Sequence, residues 1–135
     1  MLRSPLLVLA VSLGAAFVLH AAFLRAAEPS DIIAVAIYRS TESFQGDVPL
    51  SEIQFQVTDP ETIRRLLSAV DFSDPRNGKR LKSKVNAFVY LKSRAGDIQA
   101  YEVYLAWQLF AHQGRRERSY PIQPGGQELF ASLAR

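Results

Sequence analysis

Residues 85–105, VNAFVYLKSRAGDIQAYEVYL, contain the plainest strand pairing in the chain. Val85 to Lys92 and Ile98 to Leu105 are rich in β-branched and aromatic residues. Between them, Ser93-Arg94-Ala95-Gly96-Asp97 is a short loop with glycine where a positive φ is needed. So short a connection joins antiparallel neighbours, and the pattern predicts a hairpin and, with it, an antiparallel sheet. By alternation Tyr101, Val103 and Leu105 share one face. The chain stays apolar through Trp107, Leu109 and Phe110 until Gly114, where Arg115-Arg116-Glu117-Arg118 reads as a second hairpin turn before Ser119 to Gln123. Carrying the alternation onward puts Tyr101 and Trp107 on the core face, and Tyr104 and Phe110 with Ala106 on the opposite one. Tyr101 and Trp107 are therefore expected to be core rather than a stacking platform, whereas exposure of Tyr104 and Phe110 would mark a contact surface.

Upstream, Asp31 to Arg39 (DIIAVAIYR) is apolar on both alternate faces, which suits a strand covered on each side or partly by aromatics. After a polar loop over Ser40 to Ser51, Ile53, Phe55 and Val57 alternate with Gln54 and Gln56 and predict a second strand with one wet face. Asp59-Pro60 opens a helix: the carboxylate can accept a backbone N–H as N-cap, and proline at the first helical position sacrifices no hydrogen bond. Ile63, Leu66, Leu67 and Val70 form its apolar face, while Glu61, Arg64, Arg65 and Ser68 turn to solvent. Asp74-Pro75-Arg76-Asn77-Gly78 has turn composition. Pro124-Gly125-Gly126 precedes a short terminal helix that buries Leu129, Phe130 and Leu133. The expected order is β-β-α-β-β-β-β-α, an α+β two-layer sandwich with helices on one face of a mainly antiparallel sheet.

Ahead of this domain, residues 5–24 (PLLVLAVSLGAAFVLHAAFL) contain no formally charged side chain. At ~1.5 Å per residue such a helix spans ~30 Å, the thickness of the hydrocarbon core. The competing reading is a cleaved signal peptide and a freely secreted domain. Its apolar core would be ~7–15 residues, and cleavage wants small residues at −3 and −1. Cutting after Ala27, Ala22 or Ala21 places Arg25, His20 or Leu19 at −3. The expectation is an uncleaved anchor over residues 1–27 and one soluble domain over residues 28–135. With Arg3 ahead of it, the segment reads as a single-pass signal anchor in the cell membrane, which puts the domain in an extracytoplasmic, periplasmic position.

The chain carries a net charge of +3, but Arg3 and Arg25 belong to the anchor region, and the domain has nearly as many acids as bases. Only local clusters can attract a polyanion, and no specific nucleic-acid partner is expected. There is no cysteine, and His112 stands alone in the soluble part without a Gly-x-Ser-x-Gly elbow, so no nucleophilic triad is legible. The same scarcity argues against zinc. Asp71 to Gly78 has the wrong spacing for a calcium loop, and Pro124-Gly125-Gly126 lacks the lysine and glycine spacing of a phosphate cradle. No catalytic residue, metal or cofactor is expected. What stands out is Arg76, Lys79, Arg80, Lys82 and Lys84, five cations within nine positions and no acid among them. A second cluster, Arg115, Arg116 and Arg118, lies at the tip of the expected turn. Whether the two clusters form one surface depends on the fold.

Four pieces, Ile32 to Tyr38, Phe55 to Asp59, Pro60 to Val70 and Tyr120 to Leu133, together resemble a group of bacterial membrane-anchored or lipoprotein-type small α+β domains of unknown function. The lipobox cysteine of the lipoprotein pattern is missing, and the resemblance implies a fold without an activity. The functional expectation is a non-catalytic accessory or interaction module of the bacterial cell envelope, held by residues 5–24 and binding an envelope protein or anionic ligand through its basic surface. The alternative is a small extracytoplasmic enzyme with a carboxylate-based site.

Overall fold

Five strands lie side by side in chain order, each antiparallel to the next: β1 (Ile32–Arg39), β2 (Val85–Ser93), β3 (Ile98–Tyr104), β4 (Leu109–His112) and β5 (Ser119–Pro121). Two helices, α1 (Pro60–Ser68) and α2 (Pro124–Leu133), complete an α+β domain. The computed structural model describes residues 31–78 and 83–135. The expected anchor over residues 5–24 and the cations Lys79, Arg80 and Lys82 lie outside the described residues. Within the described residues no helix is long and apolar enough to cross a membrane.

The β2–β3 hairpin is the one read from the sequence. Gly96 has φ +95°, and Ser93 closes the loop, its N–H donating to Asp97 O at 2.8 Å and its O accepting from Gly96 N–H at 2.9 Å. Asp59 caps α1, accepting the Thr62 N–H at 3.0 Å and the Thr62 hydroxyl at 2.7 Å. Ile63, Leu66 and Leu67 of α1 and Phe130 of α2 pack against Val35, Ile37, Val89, Leu91, Tyr101 and Val103 in one continuous core. Both helices thus cover the same face of the sheet, here called the front. Each fully buried side chain of this kind contributes about 1.5–3 kcal/mol.

The back face of β1 and β2 is covered without an α-helix; the covering connection has only a 3-10 turn over Leu50–Glu52. Phe44, Val48, Ile53 and Phe55, from the connection between β1 and α1, close over Ala36, Tyr38, Phe88 and Tyr90. This explains why β1 is apolar on both faces. It also corrects the expected second strand: residues 53–57 are no strand, and only Val57 bridges Val35, through bonds of 2.8 and 3.0 Å. Ile53 packs behind the sheet and Val57 in front of it. The segment therefore crosses the edge of β1 and cannot lie in the plane of the sheet. Past Val57, the Gln56 amide donates to Ile37 O and Leu133 O, and Arg135 pairs with Ile37 O and Arg39 N–H. These bonds occupy an edge that would otherwise offer unpaired backbone groups.

A further difference lies between β3 and β4. Leu105, Ala106 and Trp107 have φ of 56°, 53° and 67°, a left-handed turn in three successive residues that are not glycine. The alternation is reset there: Phe110 stands opposite Val103 and joins the front core, against expectation, while Leu105 packs with Tyr104, Leu109 and Ala111 on the back. Tyr101 and Trp107 pack on the front core as expected.

Candidate functional site

Backbone pairing brings Arg76, the first cation of the upstream cluster, beside the β4–β5 turn that carries the second cluster. Arg76 N–H donates to Ser119 O at 2.7 Å, Ser119 N–H to Arg76 O at 2.8 Å and Gly78 N–H to Arg116 O at 2.8 Å. Residues 76–78 thus run alongside 116–119 and extend the sheet beyond β5. Asn77-Gly78 is part of this extended pairing, not the turn its composition implies; the turn lies earlier, where Asp74 N–H donates to Asp71 O. Glycine at 78 answers a need for space, not for a positive φ. A Cβ there would stand 2.1 Å from the Tyr104 hydroxyl and 3.0 Å from Ser119 Oγ.

Arg76, Lys84, Arg115 and Arg118 are exposed. Arg76 Nη2 pairs with Asp74 Oδ2 at 3.1 Å, a contact between two half-exposed groups worth about 0–1 kcal/mol. Arg116 has a different role. Its Nε donates to Glu102 Oε1 at 2.8 Å, its Nη1 donates to Ser83 O at 2.8 Å, and its guanidinium lies 4.3 Å from the centre of the Tyr104 ring. Glu102 is buried on β3. Arg116 therefore clamps the β4–β5 turn to β3 and to the strand-like approach to β2, neutralising a carboxylate that burial would otherwise penalise. Sequence reading placed Arg116 on the surface because nothing local marks the Glu102 carboxylate, fourteen positions away, as its partner.

Gly78 and Ser83, the described residues that flank 79–82, both bond to Arg116. Ser83 Oγ also accepts the Leu105 N–H at 3.0 Å, and Asn86 Oδ1 accepts the Trp107 N–H at 2.9 Å. These two side chains hold the left-handed turn, whose conformation costs on the order of 1–2 kcal/mol per residue. Arg39 stacks on the Trp107 ring at 5.3 Å and donates to Ala131 O at 2.9 Å. Residues that hold strain in this way cluster at functional sites, and no glycine signalled the turn in the sequence.

His112 lies at the end of β4, exposed, with its ring 4.3 Å from that of Tyr101. Partial desolvation of the ring and the Arg115 charge lower its pKa. The Tyr101 phenol, held up by burial, donates to Gln99 Oε1 at 2.7 Å. Among the described residues no three His, Cys, Asp or Glu side chains converge as metal ligands would. No protein-family model matches the chain, and no curated protein or solved structure is significantly similar to it.

Proposed function

We propose that this chain is a membrane-anchored, non-catalytic binding module of the bacterial envelope whose contact surface is the joined basic face around Arg76, Lys84, Arg115 and Arg118, with an acidic protein face as its partner. The observation that carries the reading is the pairing of residues 76–78 with 116–119, which sets Arg76 beside the second cluster and supports treating the exposed cations there as one surface. Lys79, Arg80 and Lys82, the other cations of the first cluster, lie outside the described residues. Clustered charge of one sign steers an oppositely charged partner and weakens with salt. The anchor over residues 5–24 and an extracytoplasmic position of the domain complete the proposal.

The test uses the full chain in detergent, with polyglutamate as a model acidic partner. Arg115→Glu with Arg118→Glu abolishes salt-sensitive retention, whereas Arg64→Glu with Arg65→Glu, the same charge change on the exposed side of α1, leaves it. Equal loss in both variants reduces the effect to net charge and overturns the surface. A reporter active only outside the cytoplasm, fused after Arg135, tests the orientation. Its activity together with retention of residues 1–27 supports the anchored envelope module.

A further inference from the structure

The connection that covers the back of β1 and β2 is acidic. Glu42, Asp47 and Glu52 are exposed there, and no Lys or Arg stands between Arg39 and Arg64. Among the described residues none of these three carboxylates has an ion pair. Between Asp47 and Glu52 projects Leu50, 54% exposed, more than any other large hydrophobic among the described residues. Its backbone is fixed. Glu52 N–H donates to Pro49 O at 2.8 Å, Ile53 is buried, and Gln54 N–H donates to Tyr38 Oη at 2.9 Å. On the other side Gly46, with φ +79°, lies so near Phe88 that a Cβ would stand 2.6 Å from its ring. A surface ordered in this way loses little freedom when a partner binds it.

Acids and bases are thus kept on opposite flanks of one sheet, and at the same height along its strands. A single row of cross-strand partners, Tyr38, Phe88, Glu102, Ala111, Ser119 and Arg76, runs from one flank to the other. Gln54, just past the Leu50 turn, bonds to Tyr38 at the acidic end. At the basic end, Arg76 pairs with Ser119, the neighbour of Arg118. Beside Arg76 a recess of about 250 Å³ is lined in part by Leu105, Leu109 and Pro121. A two-fold axis parallel to the strands and behind β3 would lay the acidic cover of one copy on the basic flank of another, and do so twice. Rotation about such an axis leaves strand direction unchanged, so β1 of both copies begins at the same end, as two anchors in one membrane require.

We propose that the acidic partner of the basic face is a second copy of this chain, paired back to back about that axis, with Asp47 and Glu52 of each copy against Arg76, Arg115 and Arg118 of the other and Leu50 in the recess. The inference rests on the basic-face reading and names its partner. The two contacts are reciprocal, so the pair is closed and offers no free basic face to a third copy. Opposite charges set the register, and salt weakens the pair.

The test is sedimentation velocity of the full chain in detergent, with micelles in excess. The parent is a dimer at low salt and dissociates as salt rises. Asp47→Lys with Glu52→Lys gives a monomer, and so, separately, does Arg115→Glu with Arg118→Glu. Mixed one to one, the two variants pair again, because each half of the interface regains opposite charges. Leu50→Ala weakens the parent dimer by about tenfold. The proposal is overturned by a mixture that stays monomeric, by a Leu50→Ala dimer as tight as the parent, or by a dimer indifferent to both charge changes, as one held only by residues 5–24 would be. A monomeric parent overturns it too, and retention on polyglutamate then shows which statement fails: a retained monomer keeps the basic face and loses only this partner, whereas an unretained one loses both.

Discussion

On the front of the sheet, α1 and α2 lay Ile63, Leu66, Leu67 and Phe130 on Val35, Ile37, Val89 and Val103. On the back, no α-helix intervenes: the chain between residues 40 and 56, with a single 3-10 turn over Leu50–Glu52, covers β1 and β2, and Gly78, Ser83 and Arg116 close against Tyr104 and Glu102 of β3. The difference lies in where the covering backbone finds its hydrogen bonds. A helix satisfies its own N–H and C=O groups, so the strands beneath it need only apolar side chains. An irregular cover must borrow partners from the sheet. Hence the back face presents aromatic bodies with polar tips. Tyr38 Oη accepts the Gln54 N–H at 2.9 Å, Tyr90 donates to Gly46 O at 3.4 Å, and Glu102 holds the Arg116 clamp. Such side chains bury apolar area while offering a hydrogen bond at one end.

The largest expected effect is on the front. Phe130→Ala removes a fully buried ring that packs 6.0 Å from Phe110, and should cost about 3–5 kcal/mol in chemical denaturation. Phe44→Ala, half-buried on the back, should cost only about 1–2 kcal/mol. Equal losses would break the comparison and make the loop cover as integral as the helices.

Next comes the clamp. Glu102→Ala leaves Arg116 partly buried without its carboxylate, and should cost about 3 kcal/mol. Amide exchange should then rise first at Gly78, whose N–H bonds to Arg116 O, while the α1 amides keep their protection. Uniform loss of protection would show that the two faces unfold as one unit.

The smallest effect is one of pH. The His112 pKa is lowered from its ordinary 6.5 by burial and by Arg115, so the unfolded chain takes up the proton first as pH falls. The stability tied to neutral His112 is complete above pH 6.5 and is lost as pH drops toward the folded value. His112→Gln should flatten that part of the stability profile without changing the basic face. A profile that keeps its slope would assign the pH dependence to other groups.

The legible parts of the fold were those set by neighbours in sequence. Asp59, Pro60 and the Ile63-Leu66-Leu67 spacing define α1, and Gly96 defines the hairpin. The Ile53-Phe55-Val57 alternation misled because the same period also fits a segment that wraps round a sheet edge, and only the position of β1 decides between them. Phe110 was assigned to the wrong face because Leu105, Ala106 and Trp107 turn left-handed under bonds from Ser83 and Asn86, about twenty residues away in sequence.

The candidate site divides in the same way. The two runs of cations were visible as composition, whereas the pairing of Arg76 with Ser119, the inward role of Arg116 and the orphaned Tyr104 hydroxyl come from contacts across the chain. By itself, the sequence determined the amphipathic helices, the central hairpin, the apolar length of residues 5–24 and the clustering of charge, since each depends on side chains only a few positions apart. Tertiary structure alone decided which of the described cations face solvent, where the backbone takes a strained turn and which polar atoms, Gln56 Oε1 and Tyr104 Oη, are left unpaired among the described residues. Those outcomes are set by burial and hydrogen-bond competition among residues that meet only when the sheet has formed.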